Sequence, residues 1–249
     1  MELGITGKRA AVAAASQGLG FAVADVLARE GVRVAICSRR RDAVDAAATR
    51  IAHGSVPLVA DVGHPDGAIE FVRQARDALG GVDIIVANAG GPPAGNFAST
   101  TVDQYLDAFE LNCRSAISMC YEAVPEMRAR KWGRVVAITS IAVRQPIPHL
   151  ILSNTARAGL TGFLKTLARE VAHDGVTVNS LLPGFHETER LTGLYDDAAL
   201  EQLAESVPAG SIGQAADFGA FAAFLCSEHA RFVTGTATPV DGGSYAGLL

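Results

Sequence analysis

The sequence predicts a doubly wound α/β fold, in which seven parallel strands form one sheet with helices on both faces. Short apolar runs alternate with longer segments of helical spacing along the whole chain. A glycine turn separates the first apolar run from the first helical segment, and a second apolar run follows that helix almost at once. Strands this close in the chain that are joined through a helix run parallel. Parallel sheets need helices on both faces to bury them.

The strands are predicted where Val-, Ile- and Ala-rich runs are bounded by turn residues. The first follows Lys8 and leads into the glycine turn at residues 16–20. The next strands are predicted at 32–37, 56–60, 83–87, 133–139, 177–182 and near 238–240.

Helices are predicted where apolar residues recur at a spacing of three or four. The first follows the glycine turn and is stopped by Gly31, and others are predicted at 42–53, 65–79, 101–131, 151–174 and near 215–226. Pro65 suits an early helical position, and Thr101 suits a cap. No linker, low-complexity tract or internal repeat interrupts the pattern, so residues 1–249 are expected to form one domain.

Composition favours a small-molecule partner in the cytoplasm. The formal net charge is -5, so neither nucleic acid nor a membrane surface is an expected partner. The four cysteines show no C-x-x-C spacing, and neither a signal segment nor a membrane-length apolar run is evident. Structural thiols are therefore favoured over disulfides, and no metal site is expected.

Polar and small residues are predicted to collect at the carboxyl ends of the strands, where open parallel sheets bind ligands. Six clusters follow predicted strands: residues 16–20, 38–41, Asp61, 88–91, Ser140 and 184–188. Because these strand ends meet at one edge of the sheet, the clusters together predict a nucleotide site there.

The glycine turn fits a phosphate site. Gly18 and Gly20 stand where a turn lets phosphate approach backbone amides at a helix N-terminus, whose dipole favours negative charge. Two glycines after a strand are also common in any turn between a strand and a helix, so the turn alone leaves both interpretations open.

The residues after the second strand favour NADP(H) over NAD(H). NAD enzymes of this architecture usually keep an acidic residue there for the ribose hydroxyls. This chain has Ser38, Arg39 and Arg40 instead, so Arg39, with Arg40 beside it, is a candidate partner for a 2′-phosphate. The alternative is a solvated basic start to the helix.

Asp61, Asn88 and Asn112 each have two interpretations. Asp61 is either an acceptor for an adenine amino group or the start of a turn. Asn88, followed by Ala89 and Gly90, can tie neighbouring strands together whether or not it touches a ligand. Asn112 is an indifferent helix former within a long helix, which indicates a kink or a water site unless it is an ordinary surface residue.

The chain resembles a short-chain dehydrogenase/reductase along nearly its full length. The resemblance rests on the glycine turn, Asn88-Ala-Gly, Asn112, the Ser140 loop, Val178-Asn-Ser-Leu-Leu-Pro-Gly184, Thr188 and the ending Val240-Asp-Gly-Gly243. That ending, with segment 208–213, is especially typical of the 3-oxoacyl-(acyl carrier protein) reductase-like group.

The resemblance implies a Rossmann-type, NAD(P)-dependent oxidoreductase that assembles as a homotetramer or homodimer. It assigns the pyrophosphate to Ser16, Gln17, Gly18, Leu19 and Gly20, the adenosine phosphate to Arg39, the adenine to Asp61 and Val62, the ribose to Asn88, Ala89 and Gly90, and the nicotinamide amide to Thr188. It also implies a substrate lid near residues 185–210.

The chain departs from the family pattern in two places. The family's glycine turn begins Thr-Gly, whereas this chain has Ala13-Ala14, which is expected to tighten the turn while Gly18 and Gly20 stay in register. The family's catalytic helix carries Tyr-x-x-x-Lys thirteen residues after the catalytic serine. The same count from Ser140 reaches Ser153 and then Arg157, so both central groups are replaced.

These replacements change the expected chemistry. In the family's mechanism a tyrosine hydroxyl protonates the carbonyl oxygen while NADPH delivers hydride, and the lysine lowers the phenol's pKa from about 10. A serine hydroxyl is a much weaker acid, so Ser153 is expected to donate a hydrogen bond to an oxyanion, together with Ser140. Arg157 stays charged and cannot relay protons, but it can fork onto a ribose or a substrate carboxylate.

His149, His186 and Tyr195 are candidate replacements for the missing acid. The histidines lie near the helix start and beside Thr188, and a histidine ordinarily titrates near neutral pH. Tyr195 lies on the predicted lid. The alternative is a loop hydrogen bond for each histidine and packing against substrate for the tyrosine.

Two functions are consistent with these residues. The first is an atypical NADP-dependent reductase of a carbonyl or an activated alkene, with Asn112, Ser140, Ser153 and Arg157 at its catalytic centre. The second is a non-catalytic NADP-binding or regulatory protein that has kept the fold after losing the acid. We favour the first, because a purely binding protein would not need Asn112 and Ser140.

Overall fold

The computed structural model describes residues 2–248, with the backbone alone for Arg190. Nine strands lie in this part of the chain: β1 Arg9–Val12, β2 Arg33–Ser38, β3 Val56–Val59, β4 Ile84–Ala87, β5 Gly133–Ile138, β6 Val176–Pro183, β7 His186–Glu187, β8 Gly213–Gln214 and β9 Ala237–Val240. Seven of them form a parallel sheet in the order β3-β2-β1-β4-β5-β6-β9, which confirms the predicted sheet. The short strands β7 and β8 pair with each other apart from it.

Nine α-helices lie in the same residues: α1 Gly18–Arg29, α2 Arg41–Arg50, α3 Pro65–Leu79, α4 Val102–Phe109, α5 Ser115–Ala129, α6 Ile151–Val171, α7 Glu189–Thr192, α8 Asp197–Ser206 and α9 Ala215–Cys226. The predicted bounds of α3 and α9 are confirmed, and a 3₁₀ turn at Ala172–Asp174 completes the predicted helix that contains α6. Within residues 2–248, none of the helices is both long and apolar enough to cross a membrane.

Successive strand residues face two separate hydrophobic cores. In β1, Ala10 and Val12 pack with α1, α2 and α9, whereas Ala11 packs with α3, α5 and α6. Side chains alternate between the faces of a strand, so a sheet covered on both sides needs apolar residues at consecutive positions. This is why the strands are continuous apolar runs in the sequence.

The order of the strands places the ligand crevice. From β1 at the centre, the chain runs outward to β3 on one side and then returns to β4 on the other. The connections from β1 and β4 therefore leave in opposite directions, which opens a crevice at the carboxyl ends of these two strands.

The long helix predicted at 101–131 is interrupted by a π-helical turn at Glu110–Arg114. Thr101 precedes α4 as predicted, and its N–H donates to Gln104 Oε1 at 2.8 Å. Asn112 lies inside the π turn, where it is 3% exposed. The kink predicted at Asn112 is therefore confirmed, and the surface alternative is wrong.

The region after β6 is more regular than its sequence suggests. It contains β7, α7 and α8, which the sequence pattern did not predict. The start of α8 is capped by Asp196, whose Oδ1 accepts from Ala199 N at 2.9 Å. None of the residues in α8 is fully buried, although its apolar residues, Ala199, Leu200, Leu203 and Ala204, recur at a helical spacing and are partly buried.

The amino ends of the strands carry a stack of charged and aromatic groups around Trp132. Lys8 Nζ lies 3.9 Å from one ring centroid of Trp132, and the Arg134 guanidinium carbon lies 4.4 Å from it. Trp132 Nε1 donates to Glu228 Oε1 at 2.6 Å. Arg134 is 1% exposed and donates to the carbonyls of Ser227 and Gly133. These contacts satisfy a buried cation at the sheet edge opposite the crevice.

Candidate functional site

A cavity of about 760 Å³ lies along the carboxyl ends of the central strands. Most of the predicted site residues line it: Ser16, Gln17, Gly18, Leu19, Ser38, Arg39, Asp61, Val62, Asn88, Ala89, Gly90, Arg157 and Thr188. The other predicted residues lie outside its lining: Gly20, Arg40, Asn112, Ser140 and Ser153. Residues from six separate connections therefore meet in one place, although the chain spaces them over most of its length.

Gly20 has a packing role in this crevice. A Cβ atom at Gly20 would lie 2.6 Å from Asn88 Nδ2 and 2.9 Å from the Ala14 carbonyl oxygen. Asn88 Nδ2 in turn donates to the carbonyls of Ala13 and Ala14, at 3.2 Å each. Asn88 thus ties β4 to the glycine turn, which was one of its two predicted roles.

The N-terminus of α1 is suited to an anion. Gly18, its first residue, has φ +62°, and the Gln17 side chain makes no capping hydrogen bond. The first turn of α1 has no acidic residue of its own. Its N–H groups and the helix dipole therefore favour a phosphate there, and the glycine turn fits a dinucleotide pyrophosphate. Glu189 of α7, a residue that sequence reasoning missed, contacts this turn: its Oε2 accepts from Gly18 N at 3.1 Å.

Ala14 has a left-handed backbone conformation, with φ +48°. Its N–H lies 3.4 Å from Cys37 Sγ, which accepts the hydrogen bond. Burial raises the pKa of the Cys37 thiol to about 12, so the sulfur stays neutral and structural. All four cysteines are buried as free thiols.

Two exposed arginines, Arg39 and Arg40, follow β2, and they differ in their relation to the cavity. Arg39 lines the cavity, whereas Arg40 is turned outward, with its side chain 74% exposed and 3.9 Å from Asp42 Oδ1. Ser38 Oγ accepts from Arg40 N at 3.3 Å. Only Arg39 is therefore placed to reach a ligand phosphate, and Arg40 behaves as the solvated helix start that was its alternative.

Asp61 lies across the cavity and also forms a turn. Its Oδ1 accepts from Gly63 N at 2.9 Å, as in the turn interpretation of its sequence. Because Asp61 also lines the cavity, its second carboxylate oxygen can still accept from an adenine amino group. The two predicted roles are compatible.

Asn112 supports the cavity wall from behind. Its Nδ2 donates to the Gly90 carbonyl at 2.7 Å, so the π turn is tied to the segment that follows β4. Among residues 2–248, the buried Oδ1 of Asn112 has no hydrogen-bond partner. A buried acceptor of this kind suits a water molecule, the other predicted role of Asn112.

Among the predicted catalytic residues, Arg157 on α6 is the one that lines the cavity. Arg157 is 8% exposed, and its Nη1 donates to the Ile138 carbonyl at 3.1 Å. Ser153 is also 8% exposed and lies one helical turn before it on α6. Ser140 Oγ accepts from Ala142 N at 3.1 Å, which caps a 3₁₀ turn. An oxyanion site formed by Ser140 and Ser153 stays a prediction.

Of the three candidate acids, only His186 lines the cavity. Its Nδ1 lies 3.3 Å from the Gly184 carbonyl, and its ring packs edge-on against Phe218 at 5.2 Å. Burial lowers the pKa of His186, against smaller opposing effects of Gly184, Asp217 and Asp241. Burial therefore disfavours the charged form of this packed imidazole.

His149 and Tyr195 lie outside the cavity lining. His149 is exposed, with φ +62°, and its carbonyl accepts from Gly95 N at 2.7 Å. Tyr195 is 42% exposed on the segment between α7 and α8. The backbone of His149 makes a loop contact, and a role for its side chain stays a prediction.

Sequence and structure comparisons place the chain among oxidoreductases. A family model described as "Enoyl-(Acyl carrier protein) reductase" matches residues 13–245. The 3-oxoacyl-[acyl-carrier-protein] reductase of Escherichia coli (strain K12) is 34% identical over 239 residues, which are 96% of this chain and 98% of that protein. The human Dehydrogenase/reductase SDR family member 4 is 33% identical over 245 residues, which are 96% of this chain and 88% of that protein.

Solved structures show the same fold over the full chain. The L-sorbose reductase of Gluconobacter frateurii, complexed with NADPH and L-sorbose, matches with a TM-score of 0.91 and 31% identity, over 100% of both chains. YwfH, an NADPH-dependent reductase involved in bacilysin biosynthesis, matches with a TM-score of 0.91 and 27% identity, over 97% of this chain and 100% of that chain.

Proposed function

The chain belongs to the short-chain dehydrogenase/reductase family, and from that membership we propose that it is an NADP(H)-dependent oxidoreductase of a carbonyl or an activated alkene. One observation carries the proposal: predicted nucleotide residues from separate connections line a single cavity of about 760 Å³. A cavity of this volume is within the usual range for ligand sites. The small-molecule substrate would enter beside the lid.

The residues of this cavity fit a dinucleotide. The N–H groups at the start of α1 would hold the pyrophosphate, Asp61 and Val62 the adenine, and Asn88, Ala89 and Gly90 the ribose. A Cβ at Gly90 would meet no atom within 4 Å, so the cavity is open at that wall. The reduced dinucleotide supplies a hydride when it is bound. Thr188 would orient the nicotinamide amide from the lid.

A preference for NADP(H) is supported by the charge at the end of β2. Residues 38–41 are Ser-Arg-Arg-Arg, without a carboxylate for the ribose hydroxyls. Arg39 lines the cavity, and an arginine fork pairs with a phosphate through charge-assisted hydrogen bonds. Two of the structural relatives are also described with NADPH.

At the substrate end, we propose that Arg157 positions the ribose or an anionic part of the substrate. Its side chain lines the cavity, where Nη1 donates to the Ile138 carbonyl, and an arginine stays charged at any working pH. Ser140 and Ser153 would donate hydrogen bonds to the substrate oxygen, with Asn112 holding the wall behind them. A serine hydroxyl is too weak an acid to replace a phenol, so slow turnover is expected.

A second candidate is a non-catalytic NADP-binding or regulatory protein. It is favoured by Ser153 and Arg157, which stand where the resemblance places the tyrosine and lysine. His186 packs against Phe218, and burial lowers its pKa, which makes it a poor substitute acid. Both candidates share the same cofactor site, so binding and turnover have to be measured separately.

The test begins with cofactor affinity. Arg39→Ala is expected to weaken NADPH binding by roughly tenfold or more, since charge-assisted hydrogen bonds contribute about 1.5–3 kcal/mol. NADH affinity should change little, and Arg40→Ala provides a matched exposed control. Affinities are measured by calorimetry or by NADPH fluorescence. Equal effects of Arg39→Ala on NADPH and NADH would contradict the NADP(H) preference.

Turnover then separates the two candidates. Substrate-dependent NADPH oxidation across ketones, enones and acyl thioesters, reduced sharply by Arg157→Ala, is expected of the enzyme. Binding without turnover, with activity created by Ser153→Tyr combined with Arg157→Lys, is expected of the non-catalytic protein. Robust turnover by the natural sequence excludes the second candidate.

We also propose a cytoplasmic homodimer or homotetramer. The four buried free thiols suit a reducing compartment. Large apolar side chains exposed on α4 and α5 support self-association: Val102, Leu106 and Tyr121 are 82%, 67% and 74% exposed.

A further inference from the structure

A carboxylate of the predicted lid accepts a hydrogen bond from the glycine turn. Glu189 is the first residue of α7, and its Oε2 accepts from Gly18 N at 3.1 Å across 171 positions of sequence. Gly18 is the first residue of the twelve-residue helix α1, whose first turn has no acidic residue and no side-chain cap from Gln17. The lid therefore supplies the negative charge that this helix terminus does not find locally.

The position of Glu189 is fixed by the segment around it. Thr188 caps α7, because its Oγ1 accepts from Leu191 N at 3.4 Å. Immediately before Thr188, β7 pairs with β8, which holds this part of the lid in register. Gly18 and Thr188 border both the main cavity and a smaller neighbouring cavity of about 360 Å³, which Glu189 also lines. The contact thus lies between the two cavities.

We propose that the hydrogen bond between Glu189 and Gly18 is a latch that holds the lid on the glycine turn in the free protein. We further propose that a dinucleotide opens it, because its pyrophosphate takes over the Gly18 N–H. This inference rests on the proposed cofactor function. The Glu189 carboxylate and the pyrophosphate are both anions, so they repel each other at this turn. The Gly18 N–H binds the pyrophosphate more strongly, because the pyrophosphate carries the higher negative charge. Glu189 therefore leaves when the cofactor enters.

The latch couples the lid to the cofactor site. A contact made only in the free protein lowers the apparent affinity for the cofactor, because binding has to break it. Loading of the dinucleotide releases α7, so the lid becomes free to rearrange around a substrate after the cofactor is in place. An empty protein keeps its lid on the glycine turn.

The test compares two lid carboxylates. Glu189→Ala removes the latch, and Glu187→Ala is the matched control, because it removes the same charge two residues away. Glu187 accepts from Gln214 Nε2 at 2.8 Å and lines the smaller cavity without contacting Gly18 in the structure. We expect Glu189→Ala to tighten NADPH binding by roughly two- to fivefold, the usual size of a carboxylate effect at a helix N-terminus, and by more than Glu187→Ala does.

A second measurement needs no ligand. Amide hydrogen exchange of residues 186–206 in the free protein should be faster in Glu189→Ala than in the natural protein or in Glu187→Ala. Addition of NADPH should abolish the difference in exchange at α7 between the natural protein and Glu189→Ala, because Glu189 no longer contacts Gly18 once the cofactor is bound. Unchanged lid exchange in Glu189→Ala, or NADPH affinity no tighter than in Glu187→Ala, overturns the latch.

The two proposals fail in different ways. If neither the natural protein nor Glu189→Ala binds NADPH or NADH, the proposed cofactor function is overturned, and the opening step is overturned with it. If both bind NADPH with equal affinity, the cofactor function stands and the latch alone is overturned.

Discussion

Ala14 has an unfavourable backbone conformation in the middle of the cofactor crevice. Its φ of +48° lies in the left-handed region, which costs an L-residue with a Cβ atom about 1–2 kcal/mol. The conformation is enforced from both sides, because its N–H donates to Cys37 Sγ and its carbonyl accepts from Asn88 Nδ2. The sequence predicted a tightened turn here, and the structure shows that the turn is kept and Ala14 is strained.

Replacement of Ala14 should relieve that strain. Ala14→Gly is expected to raise the free energy of unfolding by about 0.5–1 kcal/mol, because glycine populates the left-handed region freely. Urea denaturation followed by circular dichroism measures the change. Ala15→Gly is the control: Ala15 is buried without a positive φ, so the same substitution should lower stability there. A destabilised Ala14→Gly protein would show that the φ carries no cost.

Single residues differed in how well the sequence located them. Arg39, Asp61 and Asn88 follow strands directly, so the geometry of a parallel sheet brings them to one edge. Glu189 meets Gly18 only through the fold of the lid, and no local pattern marks a carboxylate that caps a helix 171 positions earlier. Ser153 was expected at the substrate oxygen but is outside the cavity lining, which spacing on a helix cannot reveal.

At the scale of elements, the π turn at Glu110–Arg114 connects a helix to the cofactor cavity. The extra residue of this turn carries Asn112 inward, where its Nδ2 reaches the Gly90 carbonyl at 2.7 Å. In the same region, Ser115 Oγ donates back to the Leu111 carbonyl at 2.7 Å within its own helix. Both side chains are buried, but only the Asn112 side chain makes its hydrogen bond to another segment, the wall of the cavity at Gly90.

Loss of the Asn112 side chain should affect the cofactor as well as the fold. Asn112→Ala is expected to cost about 1 kcal/mol of stability for the lost hydrogen bond and to weaken NADPH binding, because Gly90 loses its support. Ser115→Ala removes a hydrogen bond of the same element and should leave NADPH affinity unchanged. Urea unfolding and calorimetric titration measure the two quantities. Equal NADPH affinities in the two variants would show that Asn112 contributes to the stability of the fold and not to cofactor binding.

Elements with a buried face were predictable, and exposed or irregular ones were not. The strands and helices that form the two cores show apolar runs or apolar periodicity, and their order along the chain was correct. The helix α8 buries none of its residues fully, but it carries a partly buried apolar stripe that includes Leu200 and Leu203, and Asp196 caps its start. The π turn depends on one hydrogen bond to a distant loop, which periodicity does not contain.

At the scale of the whole molecule, one helical layer presents apolar side chains to solvent. Val102 and Leu106 lie on α4 and Tyr121 on α5, and their exposed fractions are 82%, 67% and 74%. The Tyr121 ring stacks on Phe163 of α6 at 6.5 Å. The composition of the chain identifies none of these as surface residues, because apolar positions on a helix are ordinarily buried. The surface is consistent with the proposed assembly of identical chains.

A charge on that surface should reduce the size of the assembly. Leu106→Arg is expected to at least halve the particle mass measured by size-exclusion chromatography with light scattering, because an unpaired buried charge is unfavourable at an interface. Ala46→Arg, on the exposed side of α2 in the opposite layer, is the control and should leave the mass unchanged. Thermal unfolding verifies that both variants are folded. An unchanged mass in Leu106→Arg would contradict self-association through α4.

The position of Trp132 gives the protein a built-in optical probe. It is the only tryptophan of the chain, and it lies at the edge of the sheet opposite the cavity, between Lys8 and Arg134. The six-residue strand β5 separates the two edges by roughly 20 Å. Its emission overlaps the absorption of reduced nicotinamide, so resonance energy transfer across β5 would report cofactor loading without an added label. In the absence of cofactor, the fluorescence emission of the same indole would report unfolding of the sheet.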